Sequence, residues 1–459
     1  MTPLAVGYQG LVRCVAFLLC NLALHDVAFA QASCPNPPIV STSSSQVPND
    51  VCVPSGFGGN PIQFFDDFSW KSFAALVWPA LAGQRGRPDP MKKVGDTSRP
   101  LVFETFKADW ELFQAAPTSW NTFPAANPCG DGTTTGFNDF LLASFSKFGN
   151  LGEAGFGNLV HALPAQSKAW VRYATAFNET AYKQIFDAKL YIMSNLTAAS
   201  PLTFQNNSLN VKSSWIVMTG IAHPERYYTR MAKVMDPVTG ACTDMRVGLV
   251  GLHIVQKTSS RPQWIWSSFE HVDNVPPAAQ GAPTPLSFAF NDGTGGAMPA
   301  TDPNGGFPPN DWSNPKVYNV TRVKPIHPST QTTNAAYQQA LGGVWQFYQL
   351  VMTQWPVSPQ GVPPEGPVPA SQPGTPLFTF PGTGATTAFA NTTLETWDQN
   401  TVIKGCMNCH NTATANSPST DFVWTLQDHA LTSTILSAAT RAKQSAPLAA
   451  LKRLLEENR

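Results

Sequence analysis

Charge is what this chain has least of. Lys, Arg, Asp and Glu make up 13% of its 459 residues, roughly half the share of an ordinary soluble domain. The two signs balance at 29 each. No basic stripe exists to collect phosphates, so nothing points to nucleic acid as a partner. Beyond residue 30 no apolar run is long enough to span a bilayer, and no integral membrane span is expected in the mature chain. No methionine follows Met407, and His429 is the only histidine downstream of His410. No second Cys-x-x-Cys exists, and a structural zinc site would want two further ligands at comparable spacing. No internal repeat is evident.

Apolar residues are plentiful: 42% hydrophobic and 11% aromatic, enough for a large buried core. The length allows one large domain or two to three ordinary ones. Residues 1–30 read as a signal peptide. Arg13 precedes an apolar run from Cys14 to Leu24, and Ala28-Phe29-Ala30 offers a cleavage site after Ala30. An uncleaved anchor is the other reading. Loss of this segment removes Arg13 and Asp26 and leaves the chain neutral. The expected location is the periplasm or the exterior. Outside the signal peptide and the pair Cys406 and Cys409, four cysteines remain: Cys34, Cys52, Cys129 and Cys242. In an oxidising compartment an even remainder suggests two disulfides. Three pairings are possible, and the preferred one joins Cys34 to Cys52 and Cys129 to Cys242.

Residues 31–60 read as an extended lead-in. Ile62 to Trp78 reads as a helix apolar nearly all round, hence buried, and Pro79 ends it. A second helical stretch is expected over 101–115 and a third from Glu179 to Met193. From about 211 the period changes. Val211–Met218, Tyr227–Met235, Met245–Lys257 and Gln263–Val272 read as strands of an antiparallel meander. Residues 273–330 suggest a long surface excursion, and Asn334 to Trp355 reads as a helix. Nine prolines between Pro356 and Pro381 mark a linker over 356–390. It separates a main body, 31–355, from a C-terminal segment, 391–459. That segment has helical runs near Asp421–Ala430 and Ala446–Glu457.

The segment holds the strongest chemical signal, Cys406-Met-Asn-Cys409-His410. Two cysteines separated by two residues and followed by histidine form the c-type haem attachment signature, which chance would produce in a chain of this composition on the order of a few times in a thousand. The two thiols add to the two vinyl groups of one porphyrin edge, and the histidine reaches the iron as proximal ligand. A zinc site or a redox dithiol is the alternative. The sixth ligand is open. His429, a body residue such as His253, or an open position are the candidates. Two histidines would give a lower potential than His/Met, and an open site would permit ligand chemistry.

The body contributes one dense stretch, from Gly248 through His253 and Lys257 to Trp264, Trp266, Glu270 and His271. If its two strands are adjacent, His253, Lys257, Glu270 and His271 could gather around a polar site. A hydrogen-bonded core network is the competing reading. His161, His223 and His327 have no partner pattern.

Several of these pieces together resemble a known family. They are Val211-Lys-Ser-Ser-Trp215, Gly251-Leu-His253-Ile, Lys257-Thr258, Gln263-Trp-Ile-Trp266, Phe269-Glu-His-Val-Asp-Asn274, Leu394-Glu-Thr396, the Cys406–His410 motif and Asp421-Phe422. The chain is similar in them to secreted bacterial cytochrome c family proteins. The resemblance covers about 210 to the end with good motif density, and more loosely the helix from Ser69-Trp70 to Trp78-Pro79. It implies one covalent haem c and export, and implies no substrate.

The expectation is therefore a loop-rich α+β protein, an antiparallel sheet flanked by helices, with a mostly helical C-terminal haem c segment. Electron transfer to a periplasmic redox partner is the leading function. A haem-dependent oxidoreductase of peroxidase or oxygenase type, using the body as substrate pocket, is the alternative. A haem-based sensor is a third.

Overall fold

The structure is a computed structural model. It describes residues 34–130, 135–143, 171–236, 240–276, 288–291, 296–297, 318–322, 325–356, 390–396, 405–415 and 417–435. The expected signal peptide, His161, nearly all of the proline-rich linker and the helical run expected near 446–457 lie outside them.

In chain order the elements are α1 (Ile62–Leu76), β1 (Lys107–Ala108), α2 (Asp109–Leu112), β2 (Leu141–Leu142), β3 (Arg172–Phe177), α3 (Glu179–Asp187), α4 (Met193–Ala198), β4 (Leu209–Val217), β5 (Thr229–Met235), β6 (Cys242–Gln256), β7 (Ile265–His271), β8 (Gly296–Ala297), β9 (Tyr318–Asn319), α5 (Pro328–Leu341), β10 (Tyr348–Gln354), α6 (Cys406–Ala415) and α7 (Trp424–His429). The class is α+β. Among the described residues no helix is long and apolar enough to cross a membrane.

Eight of these strands form one sheet around β6. One edge of β6 pairs with β4 along its length, from Val217↔Val247 to Leu209↔Gln256. The other edge is shared. β5 takes residues 242–248 and β7 takes 251–256. The four central strands match the expected ones within a few residues, but they do not form a meander. β4 lies beside β6, not beside its sequence neighbour β5. The cause is the length of β6: fifteen residues offer two successive partners on one side. The β4–β6 register shifts between Ser214 and Trp215, opposite Gly251 and Leu249, a bulge that turns the strand between those partners. β10 extends the sheet beyond β7, and β3 and β1 extend it beyond β4. The sheet is mixed, because β2 runs parallel to β5.

α1 is buried on every side, as its sequence requires. It lies between α5 and the sheet. Trp70 stacks on Tyr337 and meets Phe269 edge-on. The two carboxylates inside this greasy helix take hydroxyl donors, and Asp67 also pairs with Lys71 at 2.7 Å. Thr330 and Thr353 donate to Asp66 at 2.7 and 2.9 Å, and Tyr337 donates to Asp67 at 2.6 Å.

Two expected helices are corrected. The stretch 101–115 is broken into a 3-10 turn at Val102–Thr105, strand β1 and the four-residue α2. Lys107 and Ala108 pair with β3, which interrupts helical hydrogen bonding. The helix expected over 334–355 begins earlier, at Pro328, where His327 Nδ1 accepts from Ser329 N. It ends at Leu341, because Gly342 and Gly343 take positive φ. Residues 348–354 then form β10, whose apolar side chains pack against β7 and α1. Asn334 ties helix to strand by bonding both the N–H and the C=O of Leu350.

Both disulfides form as preferred, Cys34–Cys52 and Cys129–Cys242, with Cα separations of 5.4 and 5.5 Å.

Candidate functional site

The sheet has two working faces. Ser267, Phe269 and Thr353 point toward α1. Alternation turns Trp266, Ser268, Glu270, His253 and Gln354 to the other face, and the C-terminal residues lie there. Asn391 Nδ2 donates to Ser268 Oγ and Phe269 O, both at 3.0 Å. Glu270 is fully buried between Arg322 and the N–H of Thr392. The hydroxyls of Thr393 and Ser214 lie 2.8 Å apart. These bonds lay residues 390–396 across β6 and β7.

α6 begins where the sheet ends. Gln354, the last residue of β10, accepts from Cys406 N at 2.8 Å. This satisfies one of the orphan donors of the helix N-terminus. The contact demands glycine before it. Gly405 sits at φ +106, and a Cβ there would lie 2.0 Å from Gln354 Nε2.

Cys406, Cys409 and His410 stand at i, i+3 and i+4 of α6, so they share one face. Neither thiol is in a disulfide, and both cysteines are half-buried. Met407, between them, is fully buried in the main core with Phe422, Val423 and Leu426. It points away from the cysteine face.

His410 is held on two sides. Its Nδ1 lies 2.7 Å from the carbonyl oxygen of Phe422. A carbonyl can only accept, so the proton is on Nδ1 and the lone pair on Nε2. Its ring centroid is 4.5 Å from that of Trp266.

The Phe422 carbonyl is itself braced. Phe422 N donates to Thr414 Oγ1 at 2.7 Å, and Thr420 N donates to Ala413 O at 3.0 Å. Trp424 Nε1 donates to Cys409 O at 3.2 Å. On the body side Asp421 Oδ2 accepts from Lys257 Nζ at 2.6 Å and from Phe204 N at 2.8 Å. Both members of this pair are buried. Burial pushes the Asp421 carboxyl up to about 6 against the pull of Lys257.

The four body residues considered as one polar site do not converge. His253 and Glu270 share a face, but His253 Nε2 lies 3.4 Å from Glu395 while Glu270 serves Arg322 and Thr392. Lys257 turns to Asp421. His271 points to the opposite face, stacked 3.7 Å from Tyr227. Its Nε2 donates to Arg226 O and its Nδ1 accepts from Asp273 N. Burial lowers it to about 3, so it is a neutral core histidine. His429 is placed at the end of α7, 3.8 Å from Asp109 and edge-on to Phe113. His223 is exposed beside Glu225.

Sequence reasoning did not assign roles to Gln354, Trp266 or Phe422. Two pieces of the family-like pattern, Lys257-Thr258 and Asp421-Phe422, carried a signal without a function. The fold joins them across 164 residues.

The site is thus a helical Cys-x-x-Cys-His face whose histidine is oriented by a backbone carbonyl, docked on a sheet. Comparison with protein-family models, curated proteins and solved structures gave no match for this chain.

Proposed function

We propose that the chain is a c-type cytochrome with one covalent haem, working in one-electron transfer. The carrying observation is the orientation of His410. An imidazole that ligates a metal through one nitrogen almost always donates its other N–H to a carbonyl or carboxylate. His410 makes that bond to Phe422, on the same helix face as two thiols outside any disulfide. These residues fit haem c. Cys406 and Cys409 would each add S–H across a vinyl C=C, the sulfur to one carbon and the hydrogen to the other. His410 Nε2 would take the proximal position. Bound there, the iron supplies a single electron by cycling between Fe(II) and Fe(III). Trp266 packs against His410 and keeps water from that side. In this reading the C-terminal segment carrying α6 and α7 is the mostly helical haem-bearing part.

The compartment follows from the same reading. Haem c is attached outside the cytoplasm, the first 30 residues have signal-peptide character, and two disulfides suit an oxidising space. The partner is a redox protein of the periplasm. His253 and His429 remain the distal-ligand candidates.

The test is covalent haem itself. The chain should be expressed with its leader in a host with a cytochrome c maturation system. A denaturing gel stained for haem should show a band at the mature mass, lost in Cys406→Ala/Cys409→Ala. No haem band from well-expressed protein would refute the proposal. Six-coordinate low-spin iron, inert to CO and peroxide, is expected. High-spin iron that binds CO and turns over peroxide would favour the oxidoreductase reading instead.

A further inference from the structure

We propose that the buried Lys257–Asp421 pair is a positioning element that sets the donor strength of His410 and, through it, the reduction potential of the haem. The inference rests on the haem reading above.

The geometry forms a short chain of contacts. Asp421 and Phe422 are consecutive non-glycine residues at φ +50 and +70. The left-handed region is disfavoured for such residues, and two in a row persist only where the surroundings hold them. Trp264, packed over Lys257 with the ammonium 5.8 Å from its ring, is also left-handed at φ +70. Three such residues around one ion pair mark a backbone bent to a purpose. The bend turns the Phe422 carbonyl onto His410 Nδ1.

Two groups of contacts hold that carbonyl. Thr414 and Ala413 tie the loop to α6, so they move with the histidine. Lys257 and Phe204 N tie Asp421 to the body. Lys257 has a fixed backbone: its N–H donates to Ser208 O at 2.9 Å, and its C=O accepts from Asn207 N at 2.8 Å. The ion pair therefore references the histidine's acceptor to the sheet, not to the helix that carries the histidine.

A buried ion pair is weak evidence for stability, since apolar residues often replace one at no cost. It does fix direction, because each partner must find the other. Here the direction fixed belongs to a proximal-histidine acceptor. A well-aligned Nδ1–H···O bond makes Nε2 a stronger donor, which favours Fe(III) and lowers the potential. Loosening the loop should raise it.

The test uses the full-length mature protein with its covalent haem. Lys257→Met/Asp421→Asn removes both charges together, so net charge near the iron is unchanged. A shift in potential then reads the hydrogen bond and not the field. The expected result is a more positive midpoint in spectroelectrochemical titration. The Nδ1–H proton resonance of His410 in the ferrous low-spin form should move upfield as its hydrogen bond loosens. Lys257→Arg should restore both toward wild type. A folded double variant with wild-type midpoint and resonance would overturn the inference, as would an arginine variant shifted as far as the double variant. If the double variant does not accumulate, Lys257→Gln/Asp421→Asn decides. It replaces the ion pair by a neutral hydrogen-bonded pair with no change in net charge and should shift the midpoint the same way. An unmoved midpoint there overturns the inference too. Wild-type protein without covalent haem would overturn the haem reading and this inference together. Haem present with unmoved midpoints overturns this inference alone.

Discussion

Asp66→Asn should make the protein more stable at neutral and alkaline pH and leave it little changed in acid. Asp66 is fully buried in α1. Among the described residues its hydrogen-bond partners are the hydroxyls of Thr330 and Thr353, not a cation. Burial raises its carboxyl from 3.8 to about 7, and the two hydroxyl donors only partly offset this. The sign follows from proton linkage. Between those two values the folded state holds a proton that the unfolded state has released. Stability is therefore greatest below the unfolded value, falls as pH rises through the window, and is flat above the folded value. The span between 3.8 and about 7 corresponds to about 4 kcal/mol. Asparagine keeps the size, can bond both threonines, and has no proton to lose. Asp421 is also raised, to about 6, and tilts the wild-type curve the same way. Only the difference between the two proteins isolates Asp66. Urea unfolding at several pH values from 4 to 8 should show Asp66→Asn gaining on wild type by about 4 kcal/mol across that range. A difference that stays constant with pH would refute the reasoning, because it would mean Asp66 titrates alike in both states.

Two further outcomes follow from packing and covalent structure. Gly251→Ala should cost about 1–3 kcal/mol and loosen residues 390–396, since a Cβ at Gly251 would lie 2.5 Å from both Ser214 Oγ and Thr393 Oγ1. Faster hydrogen exchange confined to that segment and its sheet contacts would show this, and unchanged exchange there would count against the docking described. Cys129→Ser/Cys242→Ser opens a link between residues 113 apart in sequence, and thermal unfolding should show a loss of about 4–5 kcal/mol, while Cys34→Ser/Cys52→Ser, across 18 residues, should cost about 3 kcal/mol.

What could be read in advance divides by the range of the interaction. α1 was legible because its own residues, apolar on all sides, dictate burial. The strands of β4 to β7 were legible because β-branched and aromatic runs favour a pleated surface whatever the neighbours. Their order was not, since pairing depends on which edge of a long strand is covered first. β10 shows the same limit. Leu350, Val351 and Met352 have apolar spacing that suits helix or strand, and Gly342-Gly343 decides by stopping α5 before them. α2 fails in the other direction: a helical pattern gave way where β3 needed a partner at Lys107 and Ala108.

The candidate site divides the same way, and the division bears on what the large body is for. Cys406, Cys409 and His410 are legible because one helix turn brings them together. The acceptor of His410, the Phe422 carbonyl, lies 12 residues on in the same segment, but the groups that fix the motif against the body arrive from far away in the chain: Gln354 from β10, Trp266 from β7, Lys257 from the end of β6. Such groups leave no local spacing to read. For the proposed electron carrier a haem-binding segment would nearly suffice, so the body over 31–355 invites a search for a substrate pocket. The contacts suggest a different use. Met407, Phe422, Val423 and Leu426 lie in the same hydrophobic cluster as Trp215, Leu252 and Phe269, so the sheet is the other half of the segment's core. Among the described residues, α7 is the one helix packed beside α6, so the sheet excludes water from the rest of the histidine's surroundings. The body supplies Trp266 on the ring and Lys257 behind the carbonyl. If the chain carries the proposed haem, changes at Lys257 or Trp266 should alter its potential while leaving its covalent attachment intact, because attachment needs only the thiols.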